Sequence, residues 1–302
     1  MKKGLTVLSL FDGISCGYVA LQRAGIPVDR YFASEIKPFA IKCSSINNPD
    51  IIHVGDVRKI HFSNGILYTE KREYPVGDVD LLIGGSPCQN FSTARALCKK
   101  IDGLKGEHSS LFYEYSRILN EVEPRFFLLE NVRIPNPSDL AEINNLLHVT
   151  PVKINSALVS FQNRVRMYWT NIPDVTSPVD KGIDFQTYKD TDEIYCEKFI
   201  VNRTPSREKM WGNGVNGKCK NVTYSHKIGC LTCKQDRSPN SGLIAYKGFC
   251  RFLTTRELEL AQTLPVGYTS MLTRKQAENV LGDCWTVDVI SHIFSGLKSK
   301  EE

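Results

Sequence analysis

The chain has 302 residues, 41% hydrophobic and 24% charged, a balance too apolar for a disordered polypeptide and ordinary for a folded enzyme. Thirty-eight basic against thirty-three acidic side chains leave a formal charge of +5, which permits a polyanionic partner without demanding one. No apolar run reaches the roughly 20 residues needed to cross a bilayer, and ten irregularly spaced cysteines do not make a secreted disulfide scaffold, so reduced thiols in a cytoplasm are expected.

The opening "MKKGLTVLSLFDG" resembles the front of a signal peptide, but Asp12 and Gly13 stop its apolar run and no small-residue cleavage site follows. Residues 5–11 therefore read as a first buried strand, followed by a glycine-bearing loop and a helix over 17–25 that Gly25 stops. Residues 30–35, 51–54, 79–85 and 125–131 are further strand candidates, each nearly continuous in apolar residues, as suits strands covered on both faces. Between the last two, residues 109–124 place Leu111, Tyr115, Ile118, Leu119 and Val122 on one helical face. Segments 152–160 and 166–172 read as two more strands joined by "FQNRV". The alternation predicts an α/β fold with a doubly wound, mostly parallel sheet. From Pro173 to about residue 250 the chain turns rich in Gly, Asn, Ser, Lys and Pro, a basic, loop-dominated insert. Helical periodicity returns in "TTRELELAQTL" and "SHIFSGLK". One large α/β domain, 1–172 with 251–302, is thus interrupted by a small insert, 173–250.

Ligands of doubly wound folds bind at the carboxyl ends of strands. The loop "FDGISCG" (11–17) ends the first strand, yet it is neither a G-x-G-x-x-G fingerprint nor a phosphate-cradling loop. Glu35 closes the second strand, where a carboxylate can take two ribose hydroxyls, and Asp56 in "VGDV" follows the third, within reach of an adenine amino group. Three successive strand ends offer an adenosine site without a phosphate grip. Each residue taken singly also has a plainer reading, as a turn or a solvated cap.

"GGSPCQNFS" (84–92) follows the next strand. An ordinary thiol, with a pKa of about 8.5, is only a few per cent thiolate at neutral pH. A turn that aims backbone N–H groups at the sulfur of Cys88 would raise that fraction; the alternative is an inert buried cysteine. "FFLLENV" then sets Glu130 at the carboxyl edge of a neighbouring strand. A thiol, a carboxyl group and an adenosine site on one edge form a coherent chemical set.

The ordered series "FDGISCG", Glu35, "GDV", "GGSPCQNFS", "ENV", "QNRVR" and "RFLTTRELELAQTLP" resembles the DNA cytosine-5 methyltransferases over nearly the whole chain, leaving 173–250 where that family carries its target-recognition region. The details "LFDGI" and "LGDCWTVDVISHIF" are most similar to the branch containing the animal de novo enzymes. The resemblance implies S-adenosyl-L-methionine as cofactor, with S-adenosyl-L-homocysteine as product, and duplex DNA as partner. It makes Cys88 the nucleophile that adds to C6 of a flipped-out cytosine. Glu130 would hold N3 and the exocyclic amine, and Arg164 and Arg166 would hold the base. The loop 90–110 would close over the extruded base. Cofactor contacts carry over to Asp12, Gly13, Ile14, Cys16, Glu35, Asp56 and Val57, and to Asp283, Cys284 and Trp285 in a segment that returns to the first domain. Two departures stand out: Asp283 replaces a usual asparagine, and Ser15 and Cys16 stand where a second loop glycine is usual. Such a compact chain suits a prokaryotic or viral host cytoplasm, as an orphan enzyme or beside a cognate restriction endonuclease, and association of copies is compatible with the resemblance. A tRNA methyltransferase and a catalytically silent DNA-binding regulator are the rival readings. Cys219, Cys230, Cys233 and Cys250 include one C-x₂-C pair without a second, so no metal is expected.

Overall fold

The near-continuous apolar runs of the first half become the strands of one sheet in the computed structural model, which describes residues 4–87, 110–212, 220–236 and 240–300. By packing, the chain divides into two units: residues 1–154, 165–177 and 290–302 form the first, residues 155–164 and 178–289 the second. These boundaries differ from the expected ones. Residues 251–289 pack with the insert and not with the large domain, and 155–164 joins them.

The first unit holds β1 (Leu5–Leu10), α1 (Cys16–Ala24), β2 (Val28–Ser34), α2 (Pro38–Asn47) and β3 (Ile52–His53). Next come the short strands β4 (His61–Ser63), β5 (Ile66–Tyr68) and β6 (Glu73–Pro75), which make a small antiparallel sheet of their own. The sequence reading missed this sheet because runs of three residues are too short to show a period. The main sheet continues with β7 (Leu81–Gly85), then α3 (Ser110–Val122), β8 (Phe126–Asn131), α4 (Pro137–Leu147), β9 (Val152–Asn155) and β10 (Val165–Thr170). Its order is β3-β2-β1-β7-β8-β10-β9. The pairs β1–β2, β2–β3, β1–β7 and β7–β8 are parallel, and β10 runs antiparallel to β8. This is the mostly parallel, doubly wound sheet expected, consistent with the S-adenosylmethionine-dependent methyltransferase fold.

β8 is buried at all six positions, as a strand covered on both faces requires. Leu8, Leu10, Phe32, Leu82 and Leu129 from the strands pack with Phe112, Tyr115 and Ile118 from α3. Burial of each such side chain contributes about 1.5–3 kcal/mol. Gly25 ends α1 in the left-handed region (φ 67°), its N–H donating to the carbonyls of Gln22 and Leu21. The strand expected over 152–160 stops at Asn155, whose side-chain oxygen accepts from the N–H of Ala157 and of Arg164 and turns the chain into a short 3₁₀ segment, Ser156–Leu158.

The second unit holds the short helices α5 (Phe185–Tyr188), α6 (Glu193–Glu197) and α7 (Pro205–Gly212), the hairpin β11 (Leu243–Tyr246) and β12 (Phe249–Phe252), then α8 (Thr255–Ala261) and α9 (Arg274–Asp283). α10 (Val287–Phe294) carries the chain back into the first unit. A small cluster of Phe199, Val201, Leu243, Cys250 and Phe252 packs inside the second unit, beside a buried ion pair of Arg251 and Glu257. No helix among the described residues is long and apolar enough to cross a membrane.

Candidate active site

β1 sends the chain to β2 on one side, while β7 lies on its other side, so the crevice between the loops after β1 and β7 is the topological switch point of the sheet. In the first of these loops Phe11, Gly13 and Ser15 have positive φ at alternate positions (57°, 62° and 62°) and turn the chain sharply into α1. Open space surrounds the position a Cβ on Gly13 would occupy, so a ligand can approach the backbone there. Ser15 has the left-handed conformation that a glycine adopts without cost. Its hydroxyl donates to Asp12 Oδ2 at 2.5 Å and lies 2.6 Å from Ser44 Oγ, and Ser44 Oγ lies 3.3 Å from His53 Nε2. A hydrogen-bonded side chain thus holds the turn where the family pattern uses glycine. Tyr31 donates to Asp12 Oδ1 at 2.8 Å. Burial pushes the Asp12 carboxyl above its usual 3.8, against the hydrogen bonds from Ser15, Ser9 and Tyr31.

Glu35, just past β2, accepts from the N–H of Gly13 through Oε2 (2.8 Å) and from those of Ile36 and Lys37 through Oε1 (2.7 and 2.9 Å). It ties the end of β2 to the glycine loop. Asp56 is less free than its spacing suggested. It caps a 3₁₀ turn by accepting from the Arg58 N–H, and the Arg58 guanidinium beside it holds its carboxyl below the usual 3.8. Ile14, Cys16 and Val57 are buried.

At the other side of the crevice, Glu130 pairs across the β7–β8 register with Gly85, and Arg166, at the start of β10, donates to Glu130 Oε1 at 2.9 Å. Both side chains are largely buried, 9% and 14% exposed, which strengthens a charge-assisted bond. Asn131 donates through Nδ2 to the Oγ and main-chain oxygen of Ser86 (3.0 and 3.3 Å), clamping β8 to the turn after β7. Ser86 stands two positions before Cys88; Cys88 itself and the loop 90–110 up to Ser109 lie outside the described residues.

Arg164 belongs to the second unit, where it is 2% exposed. Its guanidinium donates to the carbonyls of Leu231 (3.3 Å), Gly282 (3.2 Å) and Cys284 (3.0 Å), drawing the 231 and 282–284 segments together. Arg164 lies in the turn before β10 and Arg166 on the strand, so the two-residue spacing says nothing about a shared face. Asp283, Cys284 and Trp285 also fall in the second unit. Gln262 binds the same segment, donating to the carbonyls of Leu281 and Cys284. Asp283 Oδ1 accepts from the Cys233 thiol at 2.7 Å. Among the described residues no group of three or more His, Cys, Asp or Glu side chains is placed to hold a metal ion.

The sequence reading named Glu130 and Arg166 on this edge and overlooked Asn131 and Ser86 there, and Ile36 beside Glu35. "ENV" and "GSPC" contained the first two, but nothing in the sequence pairs residues 45 positions apart. Ile36 is 62% exposed beside Glu35, an apolar side chain at a polar strand end, and that contrast was available in the sequence.

The model of the family described as C-5 cytosine-specific DNA methylase matches residues 5–299. The orphan methyltransferase M.SPRI of Bacillus phage SPR is 37% identical over 195 residues, which are 60% of this chain and 41% of that protein. The type II methyltransferase M1.ScrFI of Lactococcus lactis subsp. cremoris is 27% identical over 318 aligned positions, 95% of this chain and 76% of its own length. The chain spans about two fifths of the first of these relatives. Among solved structures, Schizosaccharomyces pombe Dnmt2 methyltransferase superposes with a TM-score of 0.70 at 18% identity, covering 97% of this chain and 99% of that one. Entamoeba histolytica methyltransferase EhMeth does so with 0.75 at 17% identity, covering 99% and 100%. At these identities the two likenesses concern the fold.

Proposed function

The chain belongs to the C-5 cytosine-specific DNA methylase family, and on that premise we propose that it transfers a methyl group from S-adenosyl-L-methionine to C5 of a cytosine in duplex DNA. The observation that carries the reading is the Glu130–Arg166 pair at the switch-point edge, with Asn131 holding the turn that leads into Cys88.

The strand ends fit the adenosine part of the cofactor. Glu35 is oriented by three N–H groups, Gly13 and Gly55 have positive φ and open space at the Cβ position, and Ile36 offers an apolar face to a ring. Asp12, Gly13, Ile14, Cys16, Glu35, Asp56 and Val57 would hold it, with Asp283, Cys284 and Trp285 as the family's further contacts. The cofactor supplies an electrophilic methyl group. Cytosine C5 is a poor nucleophile, and addition of the Cys88 thiolate to C6 gives an enamine that is a good one. Glu130 holds N3 and the exocyclic amine of the extruded base, stabilising charge as the thiolate adds. Arg166 keeps that carboxylate in place and adds positive charge beside the ring. Arg164 is the family's further residue for holding the base. Removal of the C5 proton and loss of the thiol complete the reaction.

The recognition region is assigned to 173–250, and the setting to a prokaryotic or viral host cytoplasm. The direct test measures transfer of labelled methyl to duplex DNA and, separately, to tRNA. Transfer to DNA that disappears in Cys88→Ala supports the proposal. Transfer to tRNA alone, or DNA methylation that survives the substitution, refutes it.

A further inference from the structure

Cations of the second unit fall into two groups. Around the β11–β12 hairpin several are matched by carboxylates: Lys247 by Glu197, Arg203 by Glu208 (2.7 Å), Arg256 by Asp192 (3.1 Å) and Arg274 by Glu278 (2.8 Å). These charges are neutralised in place and give a polyanion little to bind. Near the turn 221–228 the partners are different. Lys189 Nζ donates to Gln186 Oε1 (2.8 Å) and to the Thr223 carbonyl (3.1 Å). Lys227 Nζ donates to the carbonyls of Ala157 (2.7 Å) and Ser160 (2.9 Å). Neither ammonium group forms an ion pair among the described residues. Asp180 and Asp184 act on Lys227 only at longer range, and Asp184 is engaged by His226 at 2.7 Å.

Tyr224, three residues before Lys227, is 87% exposed, with Lys189 Nζ 5.9 Å from its ring centroid. A single exposed aromatic ring is unremarkable on a protein surface. An exposed ring with an ammonium group fixed beside it is the combination that binds sugar and phosphate together. The turn is also registered on the catalytic motif of its own unit. The Ile228 N–H donates to the Phe161 carbonyl (2.8 Å), and the Asn163 N–H donates to the Ile228 carbonyl (3.1 Å). The turn that carries Tyr224 is therefore tied by two backbone bonds to Phe161 and Asn163, the second one residue short of Arg164.

We propose that Tyr224, with Lys189 beside it and Lys227 three residues on in the same turn, is a contact with the DNA backbone that sets how the duplex is held against the segment Phe161–Arg164. The inference rests on the reading of the chain as a DNA methylase and adds the surface by which that substrate is gripped. The ring packs against a deoxyribose while the ammonium groups attract the adjoining phosphates. Because no base edge is read, the contact is blind to sequence.

The test is binding of the full-length chain to a random-sequence duplex at several salt concentrations, with S-adenosyl-L-homocysteine binding and thermal melting measured in parallel. Tyr224→Ala is expected to weaken duplex binding about 10-fold, with Tyr224→Phe retaining it and neither changing nucleoside binding or the melt. Lys189→Gln is expected to lower the salt slope by about one. Duplex binding by Tyr224→Ala equal to that of the unaltered chain overturns the proposal. So does a loss shared by duplex binding, nucleoside binding and the melt, because the ring would then be serving the fold. An unaltered chain that binds nucleoside and not duplex sinks the methylase reading together with this one.

Discussion

At the carboxyl edge of the first unit, polar groups are held by partners on the same or the adjacent strand end: Glu35 by Gly13, Asp56 by Arg58, Glu130 by Arg166. In the second unit the holding groups span far more of the chain. Arg164 reaches Gly282 and Cys284, 118 and 120 positions away, and Gln162 reaches Gln262, 100 positions away. Arg251 and Glu257, 2% and 0% exposed, form a bidentate pair on which the Asp190 N–H also converges. A parallel sheet supplies rigidity to its own loop ends. A unit made of short helices and one hairpin lacks that support, and buried charged side chains take its place. Substitutions in the two units should therefore fail differently, stability first in the second and chemistry first in the first.

The largest effect is expected at Arg251. Arg251→Met leaves Glu257 buried without its cation and should cost about 3–5 kcal/mol, read as a lowered midpoint in urea unfolding. A midpoint unchanged from the parent chain would show that the pair is not what orders the second unit. Arg164→Ala should cost about 3 kcal/mol, since several main-chain carbonyls lose a charged donor at once. Arg166→Lys, by contrast, should leave the melt in place and lower methyl transfer about 100-fold, because a point charge replaces a directed N–H beside Glu130. If both arginine variants lose the same property, the contrast between the units fails.

Asn131→Ala is a finer probe. It removes the clamp on Ser86 and should cost about 1–2 kcal/mol, with a drop in turnover larger than the change in KM for DNA. The smallest expected effect is at His53, a partly buried imidazole whose Nδ1 has no hydrogen-bond partner among the described residues. Burial lowers its pKa below 6.5, against the pull of Asp12 and Glu35. The folded chain then takes up a proton less readily than the unfolded one. The stabilising contribution is full above pH 6.5 and is lost as the pH falls through the lowered folded value. The difference in melting temperature between the parent and His53→Asn should narrow as pH drops below 6.5; a difference flat with pH would contradict it.

Much of the first unit was legible because its strands are buried on both faces. Residues 79–85 and 125–131 read as nearly continuous apolar runs, and β7 and β8 lie within them. Glu35, Asp56 and Glu130 stood out because a carboxylate ending an apolar strand breaks the pattern. Where the period was short or absent, the reading lost detail. Residues 61–75 hold three strands of three residues each, and 173–250 holds three short helices and the first strand of a hairpin, none long enough to show a repeat. α9 was overlooked, although Thr273 and Gln276 form a capping box at its start. That signature was present in the sequence and needed no tertiary knowledge.

Local chemistry along the chain is sufficient to make the strands, to end them in glycine loops and carboxylates, and to put those ends on one edge, because a parallel sheet with crossover helices leaves the carboxyl ends no other place. Tertiary structure alone set Arg166 against Glu130, clamped Asn131 to Ser86, and packed 282–286 with the second unit. Those outcomes depend on hydrogen bonds between residues tens to more than a hundred positions apart, whose loop-closure cost is met by the packed core and whose geometry no local pattern encodes.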